Sequence, residues 1–371
     1  MSHSPRNSNP AGPPVPLSGG PTSPAPTSGA PLAAWPASGP ARVGITAVGV
    51  SLPDRVVETA ELQDRVARDS GLPLPAGMFA RTTGIERRRV ARDGEYASTL
   101  AVRAARAALA DAGREPGDVD LLLFASASRD MIEPATAHIV QAELGSRAHA
   151  LDLTNACNSF LNGIDAARSF VLAGRARRAL VVTGETPTRA MRWQLADLAQ
   201  VRAAFAGYTF GDAGAAVLVE PVPSGGILDV DTETHSEHWR VGGIPGGGSR
   251  HPRGDEHTYF HGDGHALREV FERIGAGILA RVRRRTGLDW SDYARVLVHQ
   301  VTLPYLERFV EVTGVPKEKL EVTVTELGNV ASATLGVQLA RSAPGLRPGD
   351  RVLLIGLGGG VSLMTMVWEK S

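Results

Sequence analysis

The stretch Ala148-His149-Ala150-Leu151-Asp152-Leu153-Thr154 runs through Asn155-Ala156-Cys157-Asn158-Ser159 into Phe160-Leu161, Ile164, Ala167-Arg168 and Val171, with Gly174 as the stop. The first run reads as a strand, and the last as the apolar stripe of a helix closed by glycine. Between them sits Cys157, the only cysteine in 371 residues. A thiol at a helix mouth meets unpaired N–H groups and the positive end of the helix dipole, which favour thiolate. A lone cysteine is also commonly a small buried hydrophobe. What the rest of the chain places beside it decides between the two.

The same order of elements recurs downstream. A strand at Asp118–Ala125 follows an Ala-rich helix, about Ser98 to Ala112, and a second strand at Asp292–His299 follows an amphipathic helix. The stripe of that second helix is Leu267, Val270-Phe271, Ile274, Ile278-Leu279 and Val282. The helix opened by Cys157 leads to the strand Ala179–Gly184. Asn329 likewise precedes a helix, Val337 to Ser342, which leads to the strand Arg351–Gly356. Cys157 to Val181 and Asn329 to Leu353 are both 24 residues, so Cys157 and Asn329 are expected at equivalent places in a duplicated fold. Continuous apolar strands of this kind belong to sheets covered on both faces. Two such halves would pack sheet against helix against sheet, with both helix mouths near the centre.

Composition narrows the function classes. The chain carries 39 basic and 39 acidic residues and is 43% hydrophobic, which argues against a nucleic-acid footprint. No apolar run is long enough for a membrane span. A single cysteine excludes an intrachain disulfide and fits a reducing, cytoplasmic setting. The first forty residues hold 11 of the 25 prolines and one formal charge, Arg6. Such a segment buries too little apolar surface to offset its ordering entropy. It also lacks the charged start and apolar core of a signal peptide. The expected organisation is a disordered tail (1–41), a half carrying the cysteine (42–222) and a second half (223–371).

Five motifs now form a set: Asn155-Ala156-Cys157-Asn158-Ser159-Phe160, Phe210-Gly211-Asp212-Ala213-Gly214, His299-Gln300-Val301, Gly328-Asn329 and Gly356-Leu357-Gly358-Gly359-Gly360. In this order they resemble the ketoacyl synthase III branch of the thiolase superfamily, and Leu52-Pro53-Asp54 and Thr83-Gly84-Ile85 resemble its opening. The resemblance runs from about Val43 to the C-terminus. It implies a thiolase-like duplicated five-layered αβαβα fold, a Cys-His-Asn triad of Cys157, His299 and Asn329, no cofactor and a homodimer. Cys157 would take an acyl group from a thioester of CoA or an acyl carrier protein. The backbone N–H groups of Cys157 and of the Gly358–Gly360 turn, Gly359 and Gly360 in particular, would hold the oxyanion. His299 and Asn329 would hold the carbonyl of the second substrate.

Glu133 sharpens the reaction. Asp130-Met131-Ile132-Glu133-Pro134 is similar to a segment of the OleA-type thiolases, which join two fatty acyl-CoAs head to head, and whose glutamate enters the other subunit's active site. Condensing two plain acyl thioesters requires an α-proton to be removed, whereas a malonyl group yields its carbanion by losing CO₂. The resemblance therefore implies Glu133 as base. Met78 and Thr82 stand where a tryptophan and an arginine usually clamp the CoA adenine, which leaves the carrier open. Alternatives are a malonyl-using or secondary-metabolite ketosynthase, acyl transfer to an alcohol or amine, and a non-catalytic partner subunit. His251, His257, His261 and His265 show no zinc-like spacing, and no metal site is expected. Arg281, Arg283, Arg284 and Arg285 read as a solvated helix end, with a phosphopantetheine phosphate or an acidic carrier protein as the alternative occupant.

Overall fold

A computed structural model describes residues 42–371, and the expected tail, 1–41, lies outside them. The strands of the first half are β1 (Val43–Ser51), β2 (Val56–Glu58), β3 (Arg87–Arg89), β4 (Leu121–Ala125), β5 (His149–Leu153), β6 (Ala179–Glu185) and β7 (Ala213–Pro221). They are followed by β8 (Gly226–Thr234), β9 (Gly242–Gly243), β10 (His261–Gly262), β11 (Arg295–Val298), β12 (Arg351–Gly358) and β13 (Ser362–Glu369). The helices are α1 (Thr59–Ser70), α2 (Met78–Thr83), α3 (Ala97–Asp111), α4 (Thr136–Leu144), α5 (Ser159–Leu172) and α6 (Leu198–Ala204). The last four are α7 (Gly264–Thr286), α8 (Leu303–Thr313), α9 (Val324–Leu327) and α10 (Ala333–Ser342).

Two sheets carry the fold. One has the order β1-β7-β6-β4-β5, the other β11-β12-β13-β8. Pairing directions match as well as order. β1 and β6 run antiparallel to β7, and β4 runs parallel to both β6 and β5. β8 and β12 run antiparallel to β13, and β11 runs parallel to β12. The partner of β5 is missing from the second sheet, where a single parallel bridge, Val296 to Leu320, stands in its place. The duplication extends to the turns before β4 and β11. Asp118 accepts the Glu115 N–H at 3.0 Å, and Asp292 accepts the Asp289 N–H at 2.7 Å. Each aspartate closes a 3₁₀ turn, so both strands begin about three residues later than their apolar patterns suggest.

Helices α5 and α10 lie between the sheets. Phe160, Leu161, Ile164 and Val171 of α5 share one core with Leu335, Val337 and Leu339 of α10 and with strands of both sheets. Each large side chain buried there contributes about 1.5–3 kcal/mol. Gly163 lets α5 press onto the first sheet, because a Cβ there would come within 2.5 Å of the Ala125 Cβ. The Ala-rich α3 and α4 cover the outer face of the first sheet, and α7 and α8 cover that of the second. The layers are therefore helix, sheet, helix, sheet, helix, a thiolase-like αβαβα fold. No helix among the described residues is long and apolar enough to cross a membrane.

Candidate active site

Cys157 stands two residues before α5, behind Ala156, which is held at φ +48°. The corresponding mouth of α10 has Ala331 at φ +47°. The positive-φ residues Ala156 and Ala331 correspond, and the carbonyl of each accepts the hydroxyl three residues on, from Ser159 (2.7 Å) and Thr334 (2.8 Å), so Cys157 matches Ser332 and not Asn329. The matched spacing of 24 residues placed the second mouth three residues too early, and α10 itself begins at Ala333, before the expected Val337. Asn329 precedes that mouth and reaches it by its side chain: its Oδ1 accepts the Ala331 N–H at 3.0 Å. That bond turns the Nδ2 hydrogens of the amide outward as donors.

The glycine turn after β12 closes over the first mouth. A Cβ on Gly356 would come within 2.0 Å of the Asn158 Oδ1, and one on Gly358 within 3.1 Å of the Asn155 carbonyl oxygen. A Cβ on Gly359 would lie 3.5 Å from that of Ala156. Glycine is needed here for close backbone approach, and Gly360 takes φ +77° as well. His299 follows β11 and is anchored through its own N–H to the Ile355 carbonyl of β12, at 2.9 Å. Gln338 of α10 donates to the neighbouring Val298 carbonyl at 2.9 Å. The ends of β11 and β12 thus run side by side, with the glycine turn against the mouth of α5 and the residue before His299 tied to α10.

Electrostatics at rest differ from the thiolate expected from the helix dipole. Burial, with the Glu185 carboxylate adding to it, pushes the Cys157 thiol up to about 12, and its own backbone N–H pulls only weakly the other way. Burial lowers His299 to about 4, and its Nδ1 has no partner. The pair is a neutral thiol and a neutral imidazole. One imidazole nitrogen is then an acceptor and the other a donor.

Glu185 escaped the sequence reading, which stopped its strand at Gly184. It is fully buried at the end of β6 and accepts the N–H groups of Ala127 (2.8 Å) and Ser128 (3.0 Å). It also accepts the hydroxyl of Ser332, which lies 2.6 Å from that of Thr183. A lone acid ending an otherwise apolar strand was the available signal.

Glu133 stands apart from these residues. It is exposed, directly after the exposed Met131 and Ile132. The loop is pinned on both sides: Asp130 accepts the Ser98 N–H at 3.1 Å, and Asp152 of β5 accepts those of Thr136 (2.9 Å) and Ala137 (2.8 Å). Of the arginine cluster, Arg281 and Arg285 are held by Asp231, Glu233 and Asp229, at 2.7–2.8 Å for the nearest contacts. Arg283 binds Asp289 at 2.8 Å. Three of the four arginines are thus matched by carboxylates. The rings of His251 and His257 stack 3.8 Å apart, and no group of three or more metal-type ligands occurs among the described residues.

Comparison with known proteins agrees with this layout. The family model 3-oxoacyl-[acyl-carrier-protein (ACP)] synthase III matches residues 151–236, and the model of its C-terminal part matches residues 284–370. A β-ketoacyl-[acyl-carrier-protein] synthase III of Rhodobacter capsulatus is 32% identical over 338 residues, 88% of this chain and 98% of that protein. Among solved structures, Xanthomonas campestris OleA with bound lauric acid and lauroyl-CoA superposes with a TM-score of 0.79 at 25% identity, covering 88% of this chain and 99% of that one. The 3-oxoacyl-[acyl-carrier-protein] synthase III of Aquifex aeolicus gives 0.76 at 26% identity, with 88% and 99% covered. Likeness of this extent makes the chain a condensing acyltransferase of the ketoacyl synthase III family in the thiolase superfamily, similar in structure to OleA.

Proposed function

We propose that the protein joins two acyl thioesters through an acyl-enzyme on Cys157. What supports this most is the likeness to ketoacyl synthase III and OleA, together with burial that favours a neutral Cys157 thiol and a neutral His299. The thiol does not ionise by itself at neutral pH, and the unprotonated His299 is free to take its proton as the sulfur attacks. The thioester carbon bonds to Sγ and the carrier thiol leaves with a proton. The N–H groups of Cys157 and of Gly359 or Gly360 carry the oxyanion meanwhile, each worth a few kcal/mol. The second thioester's carbonyl then accepts hydrogen bonds from His299 and from the Asn329 Nδ2. Its α-carbon, once deprotonated, attacks the acyl-enzyme and expels the Cys157 thiolate, leaving a β-keto thioester.

We further infer that the α-proton goes to Glu133 of a second copy in a homodimer. Glu133 is exposed on a pinned loop, and Asp152 ties that loop to β5, whose outer edge has no strand partner among the described residues. A free edge recruits a strand, and two-fold pairing of β5 would carry each loop onto its neighbour. A malonyl-using reaction on a carrier protein is the second reading, favoured by the names of the curated relatives. Products from acyl plus acyl and from acyl plus malonyl thioesters, compared for wild type and Glu133→Gln, separate the two. The proposed base predicts that Glu133→Gln acylates normally but loses acyl–acyl condensation by about a hundredfold or more, with malonyl restoring product. A wild type that uses malonyl alone would establish the second reading.

A further inference from the structure

Arg88 is the middle residue of β3 and is fully buried. Its guanidinium donates to the carbonyls of Tyr208 (2.6 Å) and Phe210 (2.8 Å) and to the Thr59 hydroxyl (2.8 Å). The intervening backbone groups face the other way, onto Asn329. The Asn329 N–H donates to the Thr209 carbonyl at 2.8 Å, and the Asn329 carbonyl accepts the Gly211 N–H at 3.1 Å. Arg88 and Asn329 therefore grip opposite sides of one four-residue strip.

The strip has no slack. A Cβ on Gly211 would come within 1.9 Å of the Leu327 carbonyl oxygen, and one on Gly328 within 2.6 Å of that of Thr209. Just beyond, Asp212 accepts the N–H of Ala91 (2.8 Å) and the hydroxyl of Thr188 (2.7 Å), while its own N–H donates to Arg89 (2.9 Å). The Asn329 side chain has one further restraint, the Oδ1 bond to Ala331. Where the strip sits thus sets where the Nδ2 points.

We propose that Arg88 is a positioning residue for Asn329, aiming its amide through the backbone of Tyr208–Gly211. This rests on the reading of Asn329 as a donor to the second thioester. Condensation depends on that aim, whereas loading of Cys157 does not. Donors displaced by a fraction of an ångström lose much of their effect on a reacting carbonyl. A purely structural arginine would, when altered, weaken loading and condensation together, in step with stability.

The test is a double-mutant cycle on the full chain with Arg88→Lys, Asn329→Ala and both together. Cys157 acylation is followed by intact mass, condensation by product, and folding by thermal melting. Arg88→Lys should load at the wild-type rate and condense about tenfold more slowly, through kcat rather than KM. In the Asn329→Ala background it should cost nothing further. Equal loss of both steps, or losses that multiply in the double variant, would overturn the proposal. If Arg88→Lys does not fold, Thr59→Val removes one of the three acceptors and should give a smaller loss under the same rule. Should Asn329→Ala alone condense at the wild-type rate, the reading of Asn329 falls, and the role of Arg88 with it.

Discussion

The mouths of α5 and α10 are built alike but face different strand ends. Asn158, before α5, meets Gly356 and Gly358 at the end of β12, with no side chain between. Ser332, before α10, meets Thr183 and Glu185 at the end of β6, which fill the same place with a hydroxyl and a carboxylate. Each half thus caps the other's central helix. One cap is mostly glycine backbone, with the Ser362 hydroxyl accepting from the Asn158 amide at 3.4 Å, and it suits an oxyanion and an incoming acyl group. The other is a buried, hydrogen-bonded polar network. Duplication supplied two equivalent sites, and the side chains at two strand ends decide which one is open.

Exchanging the two characters should be the most damaging change. Glu185→Gly would strip the partner from the Ala127 and Ser128 N–H groups and one of the partners from the Ser332 hydroxyl, each unsatisfied group costing about 1–3 kcal/mol. Chemical denaturation should show this as a cut of several kcal/mol. The reverse change, Gly356→Ala, sets a Cβ against Asn158 and should cost about 1–3 kcal/mol by overpacking. Acylation should fall with it as the first mouth closes. Unaltered acylation would mean that the glycine cap is not what admits substrate.

Glu185→Gln keeps the shape and removes the charge. A nearby negative charge disfavours thiolate, so removing it should lower the pKa of Cys157 from about 12. The pH profile of iodoacetamide alkylation would then rise at lower pH than in the wild type, and an unmoved profile would detach Glu185 from the thiol. Smallest is Thr183→Val, which removes one hydroxyl from the network and should cost about 0.5–1.5 kcal/mol with acylation unchanged.

Much of this was legible in the chain because strand and helix periods are local. The strands read as ending at Ala125, Gly184 and Gly356 and the helix read from Ser98 overlap β4, β6, β12 and α3, with ends that differ by three residues or fewer. Cys157, His299, Asn329 and the glycine turn could be picked out as a set by motif. The rest depends on contacts between distant segments. Arg88 in a charged run, Arg87-Arg88-Arg89, resembles any solvated patch, and only the strip at Tyr208–Gly211 buries it. The dipole argument for a thiolate considered α5 alone, and desolvation together with Glu185 outweighs it. The spacing that paired Cys157 with Asn329 missed the true match, Ser332, because the stretch from helix mouth to following strand is shorter in the second half.

The division of labour between the mouths is tested most directly by intact-mass spectrometry of Asn329→Ala. The protein is incubated with a panel of acyl-CoAs and acyl carrier proteins, and β-keto product is measured in the same samples. The account predicts one acyl group gained on Cys157 at the wild-type rate, with little product formed. A folded variant that fails to take up the acyl group, or one that yields product as the wild type does, would contradict it.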